Sequence, residues 1–325
     1  MRKLEEYLRI AEDAVSGVVY PARPSGLYEP IAYGLSHGGK RLRPVLLLAS
    51  CDAVGGDCMA ALRQAVAIEM FHNFTLLHDD VMDNADLRRG VPTVCRKWDD
   101  NTAILSGDTM LTMATCMAAE GVSPEKAVGV LRVFSETAIG VYEGQQYDME
   151  FEHRTDVGLD EYIEMIRLKT SVLLSGACRI GAMMGDASER VSNALAEYAV
   201  NIGLAFQLQD DWLDVYGDPK VFGKSIGGDI LNAKKTYLLI KAMELSNEAE
   251  KAELAKWLEN AACDPSEKIA AVTAIYDRLR VGDMCRNQAE VYAEKSYDAL
   301  RSASLGKDAE AFFESFGAML LKRAK

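Results

Sequence analysis

The sequence lacks the features that mark several simple functional classes. Its 36 lysines and arginines face 49 aspartates and glutamates, a formal net charge of −13, so the basic excess of a nucleic-acid-binding protein is missing. No two of the seven cysteines form a Cys-x-x-Cys pair, which argues against a zinc ribbon or a thioredoxin-like redox site. Dispersed cysteines in odd number are typical of reduced thiols, and we expect a cytoplasmic protein.

Long apolar runs are also missing. The longest, such as residues 45–49, are far shorter than the roughly 20 residues of a membrane-spanning helix. The N-terminal sequence MRKLEEYLRIAEDAV is charged throughout and has no signal-peptide core. No transmembrane segment is therefore predicted.

Proline and strand signals are sparse. Between Pro92 and Pro219 the only proline is Pro124, and such a stretch, rich in Ala, Leu, Met, Glu and Lys, predicts long helices. The sequence shows no sustained alternation of apolar and polar residues and no Asn-Gly hairpin signal, so no β-strands are predicted. Residues 159–185 and 190–216 have apolar side chains at helical spacing, which indicates central helices of a bundle. We predict one all-α domain over residues 1–325.

An Asp-Asp-x-x-Asp pentad occurs twice, at Asp79–Asp83 after the apolar stretch MFHNFTLLH and at Asp210–Asp214 after LAFQLQ. On a helix the first and fifth residues of each pentad share a face, about 5–6 Å apart, and the second lies at its edge. Carboxylates stacked in this way repel one another, and a hard divalent cation removes the conflict. Donor sets of oxygen alone favour magnesium or a similar ion.

Magnesium is usually held by one or two carboxylates together with waters and substrate phosphates. Two pentads therefore predict a phosphate-bearing ligand between them. A single pentad could equally be a solvated acidic helix end, but two copies, each followed by basic residues, disfavour that interpretation.

Basic residues accompany both pentads. They are Arg88 and Arg89 after the first, Lys224 and Lys234 after the second, and Lys40 and Arg43 in the upstream segment GGKRLRP. Lys40 and Arg43 would share a face if that segment is helical. Arginine binds phosphate through two parallel hydrogen bonds and lysine as a point charge. An acidic chain with cations near its acidic pentads is thus predicted to bind diphosphates and magnesium together.

Taken together, these motifs resemble the trans-isoprenyl diphosphate synthases, the polyprenyl synthetase family that includes farnesyl and geranylgeranyl diphosphate synthases. The resemblance runs from about Gly38 to Thr236 and rests on GGKRLRP, HNFTLLHDDVMDNADLRRGVPT, GQQYD, LKTS, FQLQDDWLD, FGKSIGGD and the KKT element. It implies an all-α bundle around a deep central cavity, the isoprenoid synthase type, and usually a homodimer. It also implies a prenyltransferase that joins an allylic diphosphate to isopentenyl diphosphate head to tail, with three magnesium ions, giving a short all-trans product.

The resemblance also implies a role for each matching residue. The magnesium ligands would be Asp79, Asp80, Asp83, Asp210, Asp211 and Asp214, with the first and last of each pentad as main ligands. The residues contacting the allylic diphosphate would be Arg88, Lys169, Lys224 and Lys234. Those holding isopentenyl diphosphate would be Lys40, Arg43, His72 and Arg89. Thr170 and Gln207 would face the reacting carbons at a kink in their helix, and Gln145 and Asp148 would line the polar cavity.

Two details leave alternatives open. The family commonly has glycine before the lysine of its last basic element, whereas this chain has Ala233, so Lys235 is an alternative to Lys234.

Phe74 and Thr75 lie five and four residues before the first pentad, where a large side chain acts in the family as the floor of the product channel. One aromatic residue rather than two favours a C20 product, with farnesyl diphosphate synthase as the alternative, and leaves the primer undefined.

A different class must also be weighed. Glu69-x-x-His72 and Glu150-x-x-His153 match the Glu-x-x-His pairs of ferritin-like di-iron oxidoreductases. That interpretation leaves both pentads and the lysines unexplained, so it is a remote alternative.

Overall fold

A computed structural model describes residues 1–218, 226–260 and 263–322. Within these ranges the chain forms sixteen α-helices, one 3-10 turn (Cys58–Ala61), one π-helical turn (Arg167–Ser171) and a pair of two-residue strands. The helices of the first half are α1 (Leu4–Ser16), α2 (Ser25–Ser36), α3 (Leu42–Ala53), α4 (Leu62–Met82), α5 (Val94–Lys97), α6 (Asp100–Ala119), α7 (Pro124–His153) and α8 (Leu159–Ile166). Those of the second half are α9 (Val172–Met184), α10 (Glu189–Tyr216), α11 (Gly228–Leu231), α12 (Tyr237–Leu245), α13 (Glu248–Glu259), α14 (Pro265–Leu279), α15 (Val281–Ala303) and α16 (Lys307–Leu321). The prediction of an all-α protein is confirmed.

The two central helical segments were predicted close to their observed bounds. Residues 190–216 form α10. Residues 159–185 form α8, the π turn and α9, which ends at Met184. Helical periodicity locates both segments because each buries apolar residues over most of its circumference.

The described residues fall into two compact units. The first comprises residues 1–138, 173–196 and 303–312, and the second comprises 139–172, 197–302 and the described part of 313–325. Several long helices contribute to both units. The single domain over residues 1–325 stays a prediction.

The first unit is built around α3 and α4. Leu46, Leu47 and Leu48 are completely buried, and α9 approaches so closely that a Cβ on Gly181 would lie 2.1 Å from the carbonyl oxygen of Leu47. The first pentad is thereby placed at the end of a helix whose earlier turns are buried in this core.

The second unit has its own apolar core. Leu208 of α10 and Tyr162 of α8 are buried together with Leu238, Leu254 and Tyr276 from α12, α13 and α14. The turn of α10 just before the second pentad is therefore buried in this core, and its burial holds the pentad in place.

A small hairpin follows the first pentad and was not predicted. Strands β1 (Leu87–Arg88) and β2 (Val91–Pro92) are antiparallel. Arg89 and Gly90 form the connection with φ of 55° and 81°. Strands of two residues are too short to show alternation, and an Arg-Gly pair takes the place of the usual Asn-Gly.

In the described part of the chain, none of the helices combines the length and apolar character needed to cross a membrane.

Candidate active site

The first pentad occupies the last turn of α4. The backbone N–H of Asp83 donates to the carbonyl oxygen of Asp79 at 2.8 Å, so these residues lie one helical turn apart. Asp79 is half-buried and Asp83 is exposed. Asp80 is only 3% exposed, and its Oδ1 accepts a hydrogen bond from Arg88 Nε at 2.7 Å and forms an ion pair with Arg88 Nη2 at the same distance. The hairpin thus brings one predicted diphosphate ligand, Arg88, onto the second aspartate of the pentad.

A cluster of cations lies near the start of α3. Burial and the charges of Arg43 and Arg89 hold the pKa of His72 well below its usual value, so the imidazole is neutral. Burial also lowers the pKa of Arg43. The charge of Glu69 raises this pKa, and the charge of Arg89 lowers it. Positive charges that lie close together repel one another, and an anion bound among them would relieve that repulsion. The structure brings together three of the four residues expected to hold isopentenyl diphosphate.

Lys40 lies outside helix α3, because the helix begins only at Leu42. Gly38 and Gly39 have positive φ, and Arg41 is left-handed with φ of 45°, so the segment turns before the helix starts. Lys40 and Arg43 therefore do not share a helix face. Gly39 does allow the Arg89 side chain to approach the backbone closely, since a Cβ on Gly39 would lie 3.1 Å from Arg89 Nη1.

Arg41 is a buried cation that sequence reasoning missed. Its guanidinium lies 2.7 Å from Glu69 Oε1 and 2.7 Å from Glu12 Oε2, and it donates to the carbonyl oxygen of Leu35 at 2.9 Å. It stands between Lys40 and Arg43 in GGKRLRP, and nothing local indicates that its side chain points inward. Because Glu69 also accepts from Asn73 at 3.3 Å, its carboxylate is committed to this network, which speaks against the di-iron interpretation.

The second pentad lies in the last two turns of α10. Asp211 is 5% exposed and accepts hydrogen bonds from the Tyr162 hydroxyl, from Gln207 Nε2 at 3.3 Å and from the Tyr237 N–H at 3.4 Å. Burial, reinforced by the charge of Asp229, raises the pKa of Asp211 to about 7.

The last aspartate of this pentad, Asp214, holds the start of α11. Its Oδ2 accepts the Asp229 N–H at 2.9 Å, and its carbonyl oxygen accepts the Gly227 N–H at 2.6 Å. Asp214 and Asp210 are both half-buried.

A small polar pocket of about 70 Å³ opens beside the π turn. Lys169 Nζ lies 2.5 Å from Asp148 Oδ2, and Thr170 Oγ1 donates to Gln207 Oε1 at 3.4 Å. The expected kink at Lys169 and Thr170 is thus a π turn, in which the Val172 N–H donates to the Arg167 carbonyl oxygen. The residues lining the pocket are Asp148, Tyr162, Met165, Ile166, Lys169, Thr170, Gln207, Asp211, Lys234 and Thr236.

The last basic element distinguishes its two lysines. Lys234 lines the pocket, whereas Lys235 Nζ donates to the carbonyl oxygen of Ala233 at 3.4 Å. Ala233 has a φ of 49°, the left-handed region that glycine adopts most readily, which accounts physically for the glycine common at this point of the motif. Lys224 lies outside the described residues.

The residues predicted to set chain length lie one turn before the first pentad. Phe74 is 5% exposed, and its ring centroid is 5.5 Å from that of Phe71 and 4.7 Å from that of His78. Thr75 is half-buried, and its hydroxyl donates to the His72 carbonyl oxygen at 2.8 Å. Gln145 is half-buried on α7, one turn before Asp148.

Comparison with known proteins places this fold and these motifs in one class of enzymes. Residues 24–276 match the Polyprenyl synthetase family. A solved geranylgeranyl pyrophosphate synthase superposes with a TM-score of 0.93 at 40% identity over the whole of both chains. The chain belongs to the polyprenyl synthetase family, and it is a trans-prenyltransferase.

Individual relatives are similar over most of the chain. The geranylgeranyl diphosphate synthase of Methanosarcina mazei is 43% identical over 232 residues, 71% of this chain and 72% of its own. The geranylfarnesyl diphosphate synthase of Aeropyrum pernix is 39% identical over 269 residues, 81% of this chain and 83% of its own.

Proposed function

We propose that this enzyme elongates an allylic diphosphate with isopentenyl diphosphate and releases geranylgeranyl diphosphate as its main product. The observation that carries the reaction is the pair of aspartate pentads on α4 and α10, each with cationic side chains nearby in its own unit. The family membership supports the same substrates.

The donor chemistry of the pentads fits magnesium. Asp79 and Asp83 offer carboxylate oxygens from successive turns, and Asp210 and Asp214 repeat that spacing. These four residues would hold three ions on the allylic diphosphate, and the ions would neutralise the departing group. Asp80 and Asp211 would assist these four as ligands, and each also accepts protein donors that hold its carboxylate in place.

The remaining residues divide between the two substrates. Arg43, Arg89 and the neutral His72, with Lys40, would bind isopentenyl diphosphate by charge and hydrogen bonding. Arg88, Lys169, Lys224 and Lys234 would bind the allylic diphosphate.

Ionisation of the allylic substrate gives a delocalised carbocation. The oxygens of Thr170 and Gln207 would point at that cation and stabilise it. The double bond of isopentenyl diphosphate then attacks, and proton loss to the released diphosphate completes a product five carbons longer. Water must be excluded because it would trap the cation as an alcohol.

Chain length follows from the apolar side chains beneath the first pentad. Phe74 would block the channel, while Thr75 would leave space beside it. The relatives include synthases named for C20 and for longer products. With the single aromatic residue, they support geranylgeranyl diphosphate rather than farnesyl diphosphate as the product.

Replacing Phe74 by alanine should lengthen the products, because the floor of the channel is removed. Product sizes from liquid chromatography measure this. Leu46→Ala serves as the control, since it opens a completely buried position on a different helix, α3, at a comparable cost of about 2–5 kcal/mol. An unchanged distribution for Phe74→Ala would remove this residue from the assignment.

The direct test of the function is an incubation with magnesium, isopentenyl diphosphate and each C5, C10 or C15 allylic diphosphate in turn. We expect turnover with at least one primer and a C20 main product. Absence of any condensation with all three primers would overturn the proposal.

Two further properties belong to this proposal. We expect a homodimer formed through α6, where Ile104 and Leu105 are 43% and 59% exposed. We also expect the enzyme to act in the cytoplasm.

A further inference from the structure

Two glycines on neighbouring helices contact the π turn. Gly144 lies within α7, and Gly203 lies within α10. Both are buried. A glycine inside a helix destabilises it relative to alanine, so each position calls for a packing reason.

The contact at Gly144 is with backbone. A Cβ at this position would lie 2.3 Å from the Lys169 nitrogen and 2.7 Å from the Leu168 carbonyl carbon. Neither atom can move without displacing the turn itself. By contrast, a Cβ on Gly140, one turn earlier, would lie 3.4 Å from Val172 Cγ2, which is an ordinary contact.

The contact at Gly203 is mainly with a side chain. A Cβ here would lie 2.6 Å from Ser171 Oγ and 3.0 Å from its Cβ. Ser171 is the last residue of the π turn and is completely buried.

The π turn has one consequence for the site. It carries Lys169, which pairs with Asp148, and Thr170, which donates to Gln207. Because a side chain on a turn moves with its backbone, the location of the turn fixes both contacts.

We propose that Gly144 and Gly203 are positioning residues of the condensation reaction: by lacking side chains, they let α7 and α10 close on the π turn and so hold Lys169 and Thr170 against the allylic substrate. This inference rests on the proposed function. Neither glycine touches substrate.

The test compares Gly144→Ala with Gly140→Ala as the matched control. For Gly144→Ala we expect kcat to fall by about 10²-fold, the scale of an ångström-sized misplacement, and the KM for the allylic diphosphate to rise. The KM for isopentenyl diphosphate should change by less than about twofold, because its proposed ligands lie elsewhere. Gly140→Ala should keep wild-type constants.

Hydrogen exchange of the amides of residues 167–171 gives a readout that needs no turnover. Exchange should quicken in Gly144→Ala and stay unchanged in Gly140→Ala. An inactive wild type would refute the proposed function, whereas the exchange comparison would still decide the packing role. Wild-type constants in Gly144→Ala, or equal changes in both KM values, would overturn the inference.

A second pair of variants covers the case in which Gly144→Ala does not fold. Gly203→Ala should lose activity in the same pattern, and Gly203→Ala with Ser171→Ala should regain part of it, because the nearest clash, with the hydroxyl at 2.6 Å, is gone while the contact with Cβ at 3.0 Å is left. Loss in Gly203→Ala without recovery in the double variant would count against the inference.

Discussion

At the scale of single residues, the pentads do not act as uniform acidic patches. The second aspartate of each, Asp80 or Asp211, is buried and accepts protein donors, whereas the first is half-buried in both cases. Spacing on a helix predicts which carboxylates share a face, and it says nothing about which of them meets a partner from a distant segment. Tyr162 is 49 positions away from Asp211 along the chain.

Asp79→Ala tests the proposed metal ligands most directly. Without this carboxylate the charge of the leaving diphosphate is stabilised less, so we expect turnover to fall by about 10²-fold or more. Circular dichroism should be unchanged, since Asp79 is a half-buried residue at a helix end. Asp13→Ala, at an exposed position on α1, is the control. Near-normal turnover of Asp79→Ala would defeat the assignment.

His72 predicts a pH dependence of stability. Its pKa in the folded protein lies well below the value of 6.5 expected for the unfolded chain, so at mildly acidic pH the unfolded state binds more protons. Its contribution to stability is therefore fully present above about pH 6.5 and is lost progressively as the pH falls from that value toward the lower pKa of the folded protein.

Urea unfolding at pH 7.5 and 5.5 measures this effect. The wild type should lose more free energy of unfolding between the two pH values than His72→Gln does. His153→Gln, at an exposed position at the end of α7, should behave as the wild type. Equal losses in wild type and His72→Gln would show that the histidine is not desolvated.

At the scale of elements, helices were easier to predict than their interruptions. Apolar periodicity indicated 159–185 as one segment, and only the family resemblance indicated the kink that the structure shows as a π turn at Arg167–Ser171. That distortion depends on how closely α7 and α10 approach, as Gly144 and Gly203 show, and close approach is a property of packing. The hairpin after the first pentad was missed because its strands are too short to show any pattern.

Arg41 ties α1 and α4 together through Glu12 and Glu69. Arg41→Ala would leave the 2% exposed Glu69 carboxylate without its cation, which costs about 3–5 kcal/mol in comparable buried pairs. Denaturant unfolding measures the loss. Arg63→Ala breaks an exposed pair with Glu120 and should cost less than about 1 kcal/mol. A similar small loss for both variants would contradict the buried pairing.

At the scale of the whole molecule, the proposed association depends on the exposed apolar residues of α6. Leu105→Glu would place a charge in that face, and burying an unpaired charge in an interface is unfavourable. Sedimentation velocity should therefore show a shift from dimer toward monomer. Val19→Glu, at a position 89% exposed after α1, should leave the sedimentation unchanged. A wild type that is monomeric would remove the proposed interface.

The helical class, the family and the type of chemistry all follow from patterns within short stretches of the amino-acid sequence. Helical periodicity and the i, i+4 spacing of carboxylates are local, so they can be read along the chain. Three features required the folded chain: Arg41 pairs inward with Glu69, Asp211 accepts a hydrogen bond from Tyr162, and Lys234 rather than Lys235 lines the pocket. Which side chains become buried, and which partners they contact, depends on segments that are far apart in the chain. No local pattern indicates which of these segments will meet.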